Sequence, residues 1–238
     1  MTKENKIRAA VLWTGGKDSA LALHEARQQG YEICCLVTFA PKDPQFLAHS
    51  LPMMDMQAEA LGLPHHILTI EAPFDQSYEC HLKGLKDNLG IECVVTGDIA
   101  PVHGAPNWIR ERCRPVDMAV HTPLWGRDRQ TLLNDFIHCG LRIVITCVHT
   151  GWLDASWVGR TIDDAAIDDL CTVSEKNGLD LCGEQGEYHT MVVDGPDFGG
   201  AITVEGYAIG YQGDLAYMDI EALGFSMVCR QSEGDACK

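Results

Sequence analysis

Two short stretches of the chain have residue types and spacings that could do chemistry. Residues 14–19 read Thr-Gly-Gly-Lys-Asp-Ser, between an apolar run and a helical pattern. Gly15 and Gly16 let backbone N–H groups approach a ligand closely, and a helix beginning there adds its positive dipole end. Lys17 brings a point charge and Ser19 a hydroxyl donor. Such a set can hold phosphate, and Asp18 beside it then calls for a divalent cation, which makes Asp18 the candidate metal ligand. The same residues also suit a plain strand-to-helix turn, with glycines for geometry and Asp18 and Ser19 as caps. That alternative leaves the lysine without a role. Two better-known phosphate loops do not fit, because Val11 stands at the first glycine of G-x-x-x-x-G-K-[ST] and Lys17 at the second glycine of G-x-G-x-x-G.

The second stretch is "GEQGEYH", residues 183–189. Glu184 and Glu187 are three residues apart and flanked by Gly183 and Gly186. Carboxylates in such a loop can ligate magnesium, take a proton from ammonium or meet a cationic substrate, and the aromatic faces of Tyr188 and Trp157 suit the last option. A solvated acidic loop is the bland counterpart. Asp98 follows an apolar run at 91–97, where open α/β sheets place ligand groups; it would serve equally as a turn residue. Arg160 and the cluster Arg110, Arg112 and Arg114 can grip carboxylate or phosphate oxygens bidentately, or form ordinary surface ion pairs.

The elements that must position these residues alternate regularly in the first half. Apolar runs at 9–14, 31–40, 65–70 and 91–100 alternate with helical patterns at 19–29, 53–62 and 76–88 that stop at Gly30, Gly62 and Gly90. Continuous apolar strands separated by helices predict an α/β fold, an open and mostly parallel sheet covered by helices on both faces. Further on, 129–139 and 162–177 read as helices and 141–150 as a strand. Beyond Gly183 glycines recur, and "HTMVVDG" and "GAITVEGYAIG" read as antiparallel strands of a smaller α+β region on the substrate side. The expected organisation is a nucleotide-binding region over 1–105, a substrate-side region over 106–230, and a flexible tail over 231–238.

Bulk properties narrow the partners. The net charge of −16 repels phosphate backbones, so nucleic acid is not an expected partner. No apolar stretch approaches the ~20 residues of a membrane span and "MTKENKIR" has no leader-like apolar core, so no membrane partner is expected and the expected location is cytoplasmic. The 11 cysteines lack any C-x-x-C pairing and many sit in apolar runs, as buried thiols do.

"TGGKDS" resembles the SGGKDS pyrophosphate loop of the N-type ATP pyrophosphatases, of the adenine nucleotide alpha hydrolase-like (HUP-like) superfamily. "VVTGDIA" (94–100), "PLWGRD" (123–128), "SWVGRTID" (156–163) and "CGEQGEYHTMVVDGPDF" (182–198) resemble one branch of it, the diphthine–ammonia ligases. The resemblance spans residues 9 to about 205. It implies a ligase that adenylates a carboxylate with ATP and Mg²⁺, releases pyrophosphate and lets ammonia displace AMP. The carboxylate would be protein-borne or carried on a small molecule, and a homodimer is compatible with the resemblance.

By the same resemblance Thr14, Gly15, Gly16, Lys17, Asp18, Ser19, Phe39, His49 and Gly97 contact the nucleotide. The candidates for catalysis are Lys17, Asp98, Glu184 and Glu187, and the candidates for contact with the substrate, read from their own chemistry, are Arg112, Trp157, Arg160, Tyr188 and His189. The departures lie on the acceptor side: His189 replaces a glutamate, Gln185 replaces a glycine, and "PVHGAPNWIR" replaces S-x-Y-Q-x-x-R. Three alternatives accompany this reading: a related ATPase acting on another small carboxylate, a tRNA-thiolating enzyme, or an ATP-holding sensor without turnover.

Overall fold

"RAAVL" forms the central strand because both of its faces are covered. Ala9 and Val11 point into one core and Ala10 into another, all without exposure. The computed structural model describes residues 6–101 and 106–227. In the first half β1 (Arg8–Leu12), α1 (Lys17–Gln28), β2 (Glu32–Ala40), α2 (Leu51–Leu61), β3 (His65–Thr69), α3 (Phe74–Leu89) and β4 (Cys93–Val95) follow the expected alternation. α4 (Trp108–Cys113) and β5 (Ala119–His121) complete it. The five strands lie in the order β3-β2-β1-β4-β5, every neighbouring pair parallel. One face carries α3 and α4 through Leu82, Leu85, Ile109 and Cys113, and the other carries α1 and α2 through Leu21, Leu23, Met53 and Met54. This is the predicted α/β sheet with helices on both sides.

The second half holds α5 (Arg129–His138), β6 (Arg142–His149), α6 (Asp164–Asn177), β7 (Tyr188–Asp194), β8 (Gly200–Gln212) and β9 (Leu215–Met227). Its four strands form an antiparallel sheet in the order β7-β6-β9-β8. One apolar cluster runs from Ala9, Val11 and Trp13 through α1, α2 and α5 to Met191, Val192 and Val193, so both sheets share a core.

Several boundaries differ from the sequence reading. The run 91–100 contributes only Cys93–Val95 to the sheet, because Gly97 must leave the strand to pack on the start of α1. The parallel sheet extends past residue 105, since β5 pairs with β4. α4 and β9 have no counterpart in the sequence reading. The arginine-rich face of α4 hides its apolar period, and the apolar positions of β9 are interrupted by Asp219, Glu221 and Gly224. The expected tail at 231–238 lies outside the described residues.

Candidate active site

Between β1 and α1 the chain turns through Gly15, which has φ +75°, and Gly16, the residue that caps α1. Gly16 has no side chain with which to cap this helix, and no residue of the turn does so in its place. The turn reading expected Asp18 and Ser19 to do so. Instead the Ser19 hydroxyl donates back to Gly16 O at 3.0 Å, and the Asp18 carboxylate accepts from the Lys17 ammonium at 2.7 Å. A helix N-terminus whose cap residue is a glycine, beside a lysine, has the groups to hold an anion.

The turn is built to a tight tolerance. A Cβ on Gly15 would fall 2.4 Å from Gln57 Oε1, and one on Gly97 would fall 2.6 Å from Asp18 C and 2.8 Å from Ser19 N. Gly97 therefore lets the end of β4 pass directly under the first turn of α1. Gly15 O accepts from Val192 N at 2.9 Å, and Lys17 N donates to Thr190 Oγ1 at 3.2 Å, so β7 of the second sheet lies along the loop.

The residues converge on a cavity of about 240 Å³ lined by Thr14, Gly16, Lys17, Asp18, His49, Cys182, Gly183, Glu184, Gly186, Tyr188, His189 and Thr190. The two chemistry-bearing stretches, more than 160 residues apart in sequence, thus form its walls. Lys17 is buried at its base, donating to Cys182 O at 2.6 Å, with Phe136 and Tyr188 rings 5.6 and 5.5 Å from Nζ. Burial opposes its charge, but the Asp18 carboxylate, together with Tyr188 and Cys182, outweighs that and raises its pKa. A second cavity of about 380 Å³, between residues 44–52 and 217–220, adjoins the first through His49.

Glu184 stands opposite. Burial, then the nearby Asp18 carboxylate, pushes its pKa up to about 7. Asp18 Oδ1 is buried without a hydrogen-bond partner. A carboxylate oxygen with no partner and a second carboxyl held near neutrality are what a divalent cation would relieve. No group of three or more potential metal ligands occurs among the described residues. The His49 and His189 rings meet edge-on, 5.3 Å apart, across the cavity wall. Burial, then His189 and Lys17, brings His49 down to about 4; burial and Lys17 lower His189 too. Both are neutral imidazoles at pH 7.

Other sequence-predicted residues lie elsewhere or do something else. Glu187 is buried, and its carboxylate accepts from Asp180 N at 3.0 Å and Gln185 N at 2.9 Å. It shapes the loop that carries Glu184 and is not among the residues that line the cavity. Tyr188 lines the cavity, but its hydroxyl donates to Leu181 O at 2.6 Å and its face is turned to Lys17. Trp157 is buried in the core beneath Arg160, whose guanidinium lies 4.3 Å from the indole and pairs with Asp169 at 2.6 Å. Neither joins the cavity.

Phe39 and Arg112 fall together on the α3–α4 side of the sheet. Phe39 stacks on Tyr78 at 4.2 Å, while Arg112 lies over Trp108 at 4.7 Å and pairs with Glu79 at 2.9 Å. Asp98 accepts from Asn107 Nδ2 at 2.5 Å, and Asn107 caps α4, so Asp98 anchors that helix. Sequence reasoning missed Gln57, Thr190 and Cys182. Gln57 carried a signal, since it is a polar residue in register with the apolar positions Met53, Met54 and Leu61 of α2.

Comparison with known proteins places the chain among relatives. Models of the diphthamide synthase N-terminal and C-terminal domains match residues 7–120 and 128–224. The chain is 27% identical over 246 residues to a diphthine–ammonia ligase of Danio rerio, covering 92% of this chain and 95% of that protein. It is 26% identical over 245 residues to the diphthine–ammonia ligase of Homo sapiens, with 92% and 91% covered, and 28% over 225 residues to that of Rattus norvegicus, with 84% and 83% covered. Among solved structures, a predicted subunit of tRNA methyltransferase from Methanocaldococcus jannaschii aligns with a TM-score of 0.46 at 17% identity, over 80% of this chain and 98% of that one. With both family models matched in order along nearly the whole chain, and the glycine turn and the acidic loop facing each other across one cleft, the chain belongs to the diphthamide synthase family, a family of carbon–nitrogen ligases.

Proposed function

We propose that this chain activates a carboxylate with ATP as the acyl-adenylate, releases pyrophosphate, and lets ammonia displace AMP to leave an amide. The observation that carries the reading is Lys17: a buried ammonium, its pKa raised beside Asp18, at the start of a helix whose cap residue is Gly16. That arrangement suits a departing pyrophosphate, whose charge grows as the bond at the α-phosphorus breaks. Thr14, Gly15, Gly16, Lys17 and Ser19 form the grip. Asp18 Oδ1, with Glu184 near it, would hold a Mg²⁺, which supplies charge neutralisation between the phosphate oxygens and these carboxylates.

Glu184, whose carboxyl burial and then Asp18 push up to about 7, is the group suited to take the proton that ammonia's nitrogen must shed once the carbon–nitrogen bond has formed. The two neutral histidines offer hydrogen bonds without charge at the junction of the two cavities. The relatives' names specify diphthine and ammonia. For this chain the acceptor is a carboxylate whose body need not be cationic, because Tyr188 and Trp157 are committed elsewhere and His189 is uncharged. A thiolation role is disfavoured by Cys182, the cysteine lining the cleft, whose thiol is pushed up to about 12 by burial and so stays protonated. The nine described cysteines are all unbridged, which supports a reducing, cytoplasmic setting.

The test is product analysis with Mg²⁺-ATP, ammonium and a panel of carboxylates. Pyrophosphate and AMP should appear together, dependent on the acceptor, and Lys17→Ala should reduce their release by at least about a hundredfold. Production of ADP and orthophosphate, or full activity in Lys17→Ala, would overturn the reading. ATP binding with no AMP formed under any acceptor would favour a sensor instead.

A further inference from the structure

Gln57 is a polar side chain in the middle of α2 with no exposure at all. Its Nε2 donates to Gly15 O at 2.9 Å and to Val192 O at 2.7 Å, while its Oε1 accepts from Trp13 Nε1 at 3.1 Å. One amide therefore joins the end of β1, the glycine turn and β7. Its orientation is dictated by its partners, because exchanging the oxygen and nitrogen would set an acceptor against two carbonyls. Gly15 O receives a second bond from Val192 N, so both of its lone pairs are used inside the protein.

The neighbourhood of Gln57 is apolar: Met53, Met54, Ala58 and Ala60 of the same helix are buried. A methionine or leucine would satisfy packing there, whereas an amide loses its hydration and needs every one of its bonds. Those bonds do not run along α2. They run outward to the turn that carries Lys17.

We infer that Gln57 is a positioning residue, acting through Gly15. It holds Gly15 in its left-handed conformation and ties the turn to β7, so that Lys17 and the start of α1 face the cleft. The part of this inference that concerns nucleotide rests on the ATP reading above; the part that concerns the turn does not.

The experiment compares the full-length wild type with Gln57→Met, Gln57→Glu and Leu82→Ala. Leu82 is buried in the separate core beneath α3, so its truncation destabilises the protein without touching the turn. Two readouts are taken: hydrogen exchange at the Lys17 and Val192 amides and the Trp13 indole, and the Kd for Mg²⁺-ATP by calorimetry. Both Gln57 variants should exchange these protons at least about tenfold faster and bind Mg²⁺-ATP about tenfold more weakly, while Leu82→Ala changes neither selectively at matched stability. Unchanged exchange in Gln57→Met, or an equal local loss in Leu82→Ala, would overturn the inference. Faster exchange in the Gln57 variants with no Mg²⁺-ATP binding by the wild type would uphold the positioning role and overturn the ATP reading.

Discussion

At the scale of single residues, the site places stability and chemistry in opposition at Glu184. A carboxyl whose folded pKa is about 7, against an ordinary 4.5, keeps in the native state a proton that the unfolded chain has already lost. Native stability should then fall as pH rises from about 4.5 to about 7 and level off above that. Because the side chain is partly solvated, the loss is on the order of 1 kcal/mol rather than the full value of the shift. Glu184→Gln should abolish that slope, raise Tm at pH 8, and impair amide formation more than Mg²⁺-ATP binding. Thermal melts from pH 4.5 to 8 beside product assays check this; a variant no more stable at pH 8 than at pH 5, relative to wild type, would refute it. Lys17 and Asp18 were legible in the sequence because a lysine after two glycines has no use in a bare turn. Glu187 misled because its spacing from Glu184 says nothing about direction: the loop folds so that one carboxylate faces the cleft and the other accepts two of the loop's own N–H groups.

At the scale of elements, what matters is how closely β4 passes under α1. Gly97 adopts no unusual φ, so its requirement is one of space alone. An alanine there would set its methyl 2.6–2.8 Å from Asp18 and Ser19 backbone, and backbone cannot rotate away as a side chain can. Gly97→Ala should therefore cost about 1–3 kcal/mol in denaturant unfolding and weaken Mg²⁺-ATP binding, as the start of α1 is pushed off the cleft. An alanine variant with wild-type stability and affinity would show that the contact is not limiting. The first-half strands β1–β4 and helices α1–α3 were readable because apolar runs alternate with helical patterns, each closed by a glycine at 30, 62 or 90. The short strand β5 and the six-residue α4 were not, since three to six residues carry too little periodicity to set them apart from loop. Phe39 and Arg112 were singled out for the cleft yet lie together on the other helical layer. Strand order and strand face decide that, and neither can be read from residue type.

At the scale of the whole molecule, the two halves are coupled through the active site itself. Four of the contacts that shape the glycine turn reach the second half: Gly15 O to Val192 N, Gln57 to Val192 O, Lys17 N to Thr190 and the Lys17 ammonium to Cys182 O. The apolar cluster crosses the same boundary, with Trp13, Met53 and Met54 on one side and Met191, Val192 and Val193 on the other. Although the family models divide at 120 and 128, neither half covers its own core. Separate fragments 1–127 and 128–238 should each show weak near-ultraviolet dichroism and no cooperative urea transition, because each exposes the face that the other normally buries. Mixed together they should regain one transition, and only the mixture should bind Mg²⁺-ATP. The intact chain should unfold in a single step with coincident probes. Two separate transitions in the intact chain, or a cooperatively folded 1–127 that binds Mg²⁺-ATP alone, would mean that the cleft is a contact between independent domains. On the geometry seen here it is instead the centre of one folding unit, so that a ligand closing on Lys17 and Glu184 stabilises the whole protein.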